Sequence, residues 1–233
     1  MSKQAHILAI HKGSVPSIIG GGVQSMFTGN AYAIAEQAQI WVAPRPHLEN
    51  DQNFAQIIPY VVFENNGKIL AYIRTSAGNE TRLHNKLSIG IGGHVDAIDS
   101  HIDGNTGVIS LLDTLEKSAR REIMEELAVS EEDANRLEFS WTHLIHSNET
   151  EVDGLHMGFV AVVDITLMPE IIDYAQIEDA IGQVHWLDID EIKQLTAPDT
   201  ANTSAETWTR IILDRLNIKP AASQERIKAA RAA

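Results

Sequence analysis

The chain has no cysteine. That excludes disulfides, thiolate metal sites and a cysteine nucleophile. No apolar run approaches the ~20 residues of a membrane span. Residues 1–14, MSKQAHILAIHKGS, lack the long apolar core of a signal peptide. The expectation is a soluble, cytoplasmic protein that does not contact membrane. Basic residues are scarce, 18 Lys and Arg against 32 Asp and Glu, for a formal charge of -14. General binding to a nucleic-acid backbone needs clustered cations and is excluded as an expectation. The same field repels phosphate, so a phosphate-bearing substrate would need a bound cation and a few placed arginines. Gly20-Gly21-Gly22 is followed by no Gly-Lys-Ser/Thr, so it marks a turn and not a Walker loop.

What is present is a sizeable domain's worth of apolar residues, 44% of 233. The stretch Asp113–Val129, DTLEKSARREIMEELAV, reads as one helix. Leu115, Ala119, Ile123 and Leu127 recur every four residues and form an apolar stripe. Asp113 or Thr114 can cap its start, and Asp113 with Glu116 has capping-box spacing. Glu122, Glu125 and Glu126 stand at i, i+3 and i+4, so they share one side of the helix. They lie near its C-terminal end, where each carboxylate costs up to ~1 kcal/mol against the helix dipole. A locally unfavourable choice marks a place that something else compensates. A hard divalent cation, Mg²⁺ or Mn²⁺, is the natural compensator of three carboxylates. A solvated acidic face is the competing reading of an isolated helix of this kind.

The run Arg121-Glu122-Ile123-x-Glu125-Glu126-x-Ala128-Val129 resembles the second half of the Nudix box, G-x5-E-x7-R-E-U-x-E-E-x-G-U, with U aliphatic. Counted back from Arg121, Asp113 stands where the family has Glu, and Gly107 six residues earlier fits the box glycine. Ala128 stands where the family has Gly. Ile89-Gly90-Ile91-Gly92-Gly93-His94-Val95-Asp96 looks like the strand and glycine pair that lead into the box. About fourteen extra residues then separate the pair from Asp113, and residues 97–108 read as an insertion. Gly93 by topology and Gly107 by count are both candidates for the box glycine.

The resemblance implies a Nudix fold, an α/β/α sandwich of the α+β type around a mixed sheet, over residues 53–218. Residues 1–52 are then an N-terminal extension and 219–233 a tail. In chain order, Ile7–Ile10 reads as a short strand, Ala31–Gln39 as a helical turn or two, and Trp41–Pro46 as extended or loop. Ile58–Phe63 and Ile69–Arg74 flank an Asn66-Gly67 turn, a strong hairpin signal. Leu87, Ile89 and Ile91 alternate with Ser88 and Gly90, as in a half-buried strand. Ser130–Asp133 has capping-box spacing for a short helix. Phe139–His146, His156–Thr166 and Val184–Leu187 read as strands. Asp188–Ile192 leads into a short helix. Thr207–Leu216 reads as a terminal helix with Trp208, Ile211, Ile212 and Leu216 inward.

By resemblance, Glu122, Glu125 and Glu126 hold the metal, Arg121 braces the loop through a salt bridge, and Glu125 and Glu126 take part in catalysis. Glu149, Glu151 and Asp153 lie in a loop that supplies a further metal ligand or general base in many relatives, and Glu151 is the candidate for catalysis. A plain acidic loop is the alternative. Asp113 keeps part of the box glutamate's role or only caps the helix. Ala128 replaces a glycine of left-handed conformation, and a different helix end would accommodate it. Gly92, Gly93 and His94 are placed to meet substrate, and Arg74 and Arg82 to grip phosphate. Surface or packing roles compete for both arginines, for His94, and for His143, His146, His156 and His185. The implied activity is hydrolysis of a phosphoanhydride in a nucleoside diphosphate linked to another group, with Mg²⁺ or Mn²⁺. The missing cysteine argues against a cysteine-dependent isopentenyl diphosphate isomerase. A nucleotide-sensing module without turnover is the alternative. A homodimer is an analogy from the family.

Overall fold

In the computed structural model, residues 5–15, 22–25, 39–77, 83–172, 174, 177–197 and 204–218 are described. Expectations for Gly20-Gly21, for the Ala31–Gln39 helix before its last residue, for Arg82 and for the tail lie outside them. The chain divides into two units, Met1–Val61 with Ile91–Ile123 and Phe139–Ala161, and Val62–Gly90 with Met124–Glu138 and Val162–Ala233.

In the first unit, β1 (His6–His11) lies antiparallel to β3 (Ile40–Pro44), with Leu8 opposite Val42. Its end pairs with β4 (Phe54–Asn65), with Ile10 opposite Ala55. The Leu8 amide also donates to the Val95 carbonyl at 2.8 Å. β1 is thus paired on both edges, and both its faces are packed, which is why Ile7–Ile10 is a continuous apolar run with every residue at 0% exposure. Leu8 and Ile10 pack with Ala55, Ile57, Val95, Leu115, Leu144, Met157 and Phe159. Ile7 and Ala9 pack with Leu48. Trp41–Pro44 is extended, as one of the two readings had it, and forms most of β3; Arg45 and Pro46 instead open the short helix α1 (Arg45–Leu48), with Pro46 in the first turn, where its missing N–H costs nothing. β2 (Gly22–Ser25) pairs antiparallel with β7 (Ser140–His146). β8 (His156–Asp164) neighbours β7.

In the second unit, β4 turns through Asn66 and Gly67, both at positive φ (52° and 79°), into β5 (Lys68–Arg74). Asn-Gly favours this turn because both central residues need φ above zero. β5 pairs antiparallel with β9 (Ile181–Leu187) and with β6 (Lys86–Ser88), and β10 (Ser204–Ala205) joins β6 in parallel, so the pairing is mixed. The Leu87–Ile91 segment is fully buried, not half-buried. Its polar side is satisfied internally: the Tyr72 hydroxyl donates to the Gly90 carbonyl at 2.7 Å and the Ser88 hydroxyl to Glu206 at 2.9 Å. No described helix is long and apolar enough to cross a membrane.

The central helix α2 runs Leu111–Leu127. Leu115, Ala119, Ile123 and Leu127 are each at 0% exposure, as the four-residue stripe requires. Because the helix starts two residues before Asp113, neither Asp113 nor Thr114 is its cap. Ala128 keeps a left-handed conformation at φ 53°, so the expected alternative helix end does not occur. Its Cβ carries the ~1 kcal/mol cost that a glycine would avoid. Helix α3 (Glu131–Arg136) follows, with the Ser130 hydroxyl accepting from the Asp133 amide. Later come α4 (Glu151–Gly154), α5 (Ile189–Leu195) and α6 (Thr207–Ile212). α6 ends before Leu216 and buries Thr207, Thr209 and Ile212; Trp208 and Ile211 are only partly covered.

Candidate active site

The site begins with two glycines at the end of the buried Ile89–Ile91 segment. A Cβ on Gly92 would stand 1.8 Å from the Pro59 carbonyl oxygen, so only glycine fits. A Cβ on Gly93 would stand 2.6 Å from the Glu122 carboxylate. Gly93 therefore leaves the hollow in which Glu122, 4% exposed, is seated. Gly107 has no neighbour within 4 Å of such a Cβ and sits in a turn at φ 69°. Of the two candidate glycines, Gly93 is the one at the helix.

Arg121 organises the surroundings. Its Nη1 reaches Glu122 Oε1 at 2.6 Å, and its Nη2 donates to Asp99 Oδ2 at 2.8 Å and to the His94 carbonyl at 3.0 Å. The guanidinium fork suits this, since its donors diverge in one plane. Burial alone would weaken its charge, but Asp99 and Glu122 hold it well above the ordinary arginine range. Asp99 is 2% exposed and completes a capping box with Asp96 around the short 3-10 turn Ala97–Asp99. Sequence reasoning missed Asp99. The signal was countable: Asp99 stands six residues after Gly93, the box distance from glycine to first glutamate. Arg121 then lies 22 residues after Asp99, where the box has eight, so on this count the extra residues follow Asp99 rather than begin at Ala97. Asp113 is 62% exposed, accepts from Ser110 at 2.5 Å, and serves the helix start.

The acidic triplet is carried by one continuous helix but differs residue by residue. Glu122 is buried, Glu125 exposed and Glu126 half-buried. In the second unit Glu126 acts electrostatically on Tyr72 and Arg74. The Tyr72 hydroxyl is held protonated, by burial first and by Glu126 and Glu206 in addition, against the pull of Arg74. Among the described residues, no group of three or more His, Cys, Asp or Glu side chains is gathered to hold a metal ion. The donor chemistry nonetheless fits a hard cation: carboxylate oxygens are its preferred ligands, and that of Glu122 is seated in a hollow that a Cβ would fill. Arg74 is committed elsewhere, in an ion pair with buried Glu206. Arg82 lies outside the described residues.

His94, the residue after the glycine pair, stands with Nε2 3.3 Å from His156 Nε2. Burial, then the charges of His156, Arg45 and Arg121, push its pKa well below the ordinary imidazole value, so it is neutral. The Ser147–Leu155 connection is ordered by its own caps. Thr150 caps α4, its hydroxyl donating to Asp153 Oδ2 at 2.7 Å and accepting from the Asp153 amide at 3.1 Å. Asp153 is thereby engaged, and Glu149 and Glu151 are exposed. His146, at 0% exposure, donates from Nδ1 to the His156 carbonyl at 2.9 Å, because a carbonyl only accepts. In the second unit, a cavity of about 360 Å³ is lined by Thr75, Tyr174, Glu178, Asp179 and Gln183. Its wall is tied to the last turn of α2 by the Glu178 amide, which donates to the Glu126 carbonyl at 3.0 Å.

No family model matches the chain. It is 31% identical over 197 residues to protein YmaB of Bacillus subtilis (strain 168), across 83% of this chain and 88% of YmaB. Among solved structures it is similar to Tm1382, a candidate Nudix hydrolase. The likeness has a TM-score of 0.65 at 22% identity and covers 90% of this chain and 97% of that one. A Nudix hydrolase from Nitrosomonas europaea is more distant, at TM-score 0.44 and 16% identity over 72% and 93% of the two chains.

Proposed function

Since the chain belongs to the family of YmaB and has the Nudix fold, we propose that it hydrolyses the pyrophosphate bond of a nucleoside diphosphate linked to another group, using Mg²⁺ or Mn²⁺. The observation that carries the reading is the clamp of Arg121 on Glu122 against Gly93. It spends a buried arginine and a glycine on the placement of one carboxylate, which a merely solvated acidic face does not need.

Glu122, Glu125 and Glu126 would hold the cation. Such an ion neutralises phosphate charge and lowers the pKa of water. The chain's own residues do the rest. Arg121 fixes the direction of Glu122 and, through Asp99 and the His94 carbonyl, the backbone around it. A carboxylate takes the proton of the attacking water, Glu126 or the exposed Glu151. Asp153 is bound by Thr150 and is the weaker candidate. Arg74 faces Glu206 and would reach phosphate only by leaving that pair, so other donors must position the diphosphate.

The test is release of a phosphate-containing fragment from a panel of nucleoside diphosphate derivatives with Mg²⁺ or Mn²⁺. Wild type is compared with Glu125→Gln and Glu126→Gln. Metal-dependent turnover that both variants lose supports the assignment. Turnover untouched by both would refute it. The metal alone should also raise the melting temperature of wild type, and the variants should lose that gain.

A further inference from the structure

We propose that His94 and His156 form a strut that locks the glycine loop of the site to the 150–154 segment, with His156 as a positioning residue. The inference rests on the proposed function only where catalysis is its readout.

The hydrogens of the pair follow from its partners. His156 Nδ1 lies 2.6 Å from the Val152 carbonyl oxygen. A carbonyl only accepts, so Nδ1 carries the hydrogen. When His156 is neutral, its Nε2 is an acceptor, and the hydrogen between the rings belongs to His94 Nε2, 3.3 Å away; a protonated His156 would instead donate that hydrogen to His94. Burial, His156 and the nearby cations Arg45 and Arg121 keep His94 neutral in either case. The rings meet edge to face, with centroids 5.4 Å apart. His156 is itself fixed from behind, because its carbonyl accepts from His146 Nδ1.

The strut completes a closed set of contacts around three residues. Gly92 lies against the Pro59 carbonyl, Gly93 against Glu122, and the His94 carbonyl accepts from Arg121. The His94 side chain is a further handle on this loop, and His156 holds it. At the far end stands Val152, within the four-residue helix that begins at Glu151. A proton acceptor in that helix would take its position relative to Glu122 from this chain of hydrogen bonds. A cation bridging the two imidazoles is disfavoured by Arg45 and Arg121, whose charges already depress His94.

Nitrogen-15 NMR of histidine-labelled full-length protein at about pH 8.5, well above the ordinary imidazole pKa, should show His94 protonated at Nε2 and His156 at Nδ1. In His156→Phe, amide exchange should rise about tenfold or more both at 92–95 and at 150–154. His94→Phe should loosen 150–154 equally, and the double variant should add little to either, since the two act through one contact. His156→Gln offers a carbonyl to His94 and should restore protection at 92–95 but not at 150–154. On the substrate found active, His156→Phe should lower kcat about tenfold with little change in KM. The opposite tautomers, or exchange that rises only at the mutated end, would overturn the strut. Coupled exchange with unchanged kcat would overturn the positioning role. A wild-type protein without turnover would refute the proposed function, and the tautomer and exchange results would still decide the strut.

Discussion

Asp99 and Arg121 face each other at 2.8 Å, and the aspartate is almost wholly buried. Arg121 in turn holds Glu122 at 2.6 Å. Taking away Asp99 leaves a largely covered guanidinium with one carboxylate in place of two. Removal of one member of a buried pair costs about 3–5 kcal/mol, and the remaining Glu122 contact favours the low end. Asp99→Ala should therefore lower stability by about 3 kcal/mol and also misplace Glu122. Asp113→Ala, at an exposed first-turn position, should cost about 1 kcal/mol or less. Urea denaturation of the two variants measures the contrast. Equal losses would mean that Asp99 is not the carboxylate that braces Arg121.

Gly93→Ala puts a methyl group 2.6 Å from a carboxylate that Arg121 already holds. Glu122 must move or the loop must. Hydrolysis should fall at least tenfold, and the stabilisation by Mg²⁺ should shrink with it. Gly107→Ala meets no neighbour and pays only for its positive φ, ~1 kcal/mol. It should leave turnover intact. If the two substitutions cost turnover alike, Gly93 is not special to the site.

Ala128→Gly removes a Cβ from a left-handed position. Relief of that strain is offset in part by the added freedom of the unfolded glycine. A net gain of about 0.5 kcal/mol, read as a small rise in melting temperature, is expected. A loss of stability would mean that the Ala128 methyl makes packing contacts worth more than the strain.

His94 and His146 are both held below the ordinary imidazole pKa, chiefly by burial. The unfolded chain binds their protons near pH 6.5, and the folded chain resists doing so. Their contribution to stability is complete above that pH and shrinks as pH falls below it. His146→Gln should flatten the fall in unfolding free energy between pH 7.5 and pH 5.5. An unchanged pH slope would show that His146 titrates alike in both states.

Much of this was legible in the residues. The four-residue stripe of α2, the Asn66-Gly67 turn and the strands after the helix carry local periodicities that packing did not override. The Nudix fold followed from a motif spacing, and Arg121 of that motif is found paired with Asp99. The misses were matters of pairing at a distance. Nothing near Arg74 in the chain announces Glu206, which lies 132 residues away. Asp99 was hidden because the extra residues fall between it and Arg121, so counting back from the arginine landed on Asp113. The burial of both sides of Leu87–Ile91 depended on Tyr72 and Glu206 reaching its polar groups, which alternation alone does not encode.

The threading of β1 between its neighbours bears on how the protein can be cut. A fragment begun at residue 53, where the sequence alone would start the domain, loses the strand that covers Ala55 and Ile57. What remains is a bare row of main-chain donors and acceptors beside an apolar face, the template on which chains stick to one another. Such a fragment should come out of cells as aggregate. During synthesis β1 must likewise wait for residues 40–56 before its described strand partners exist.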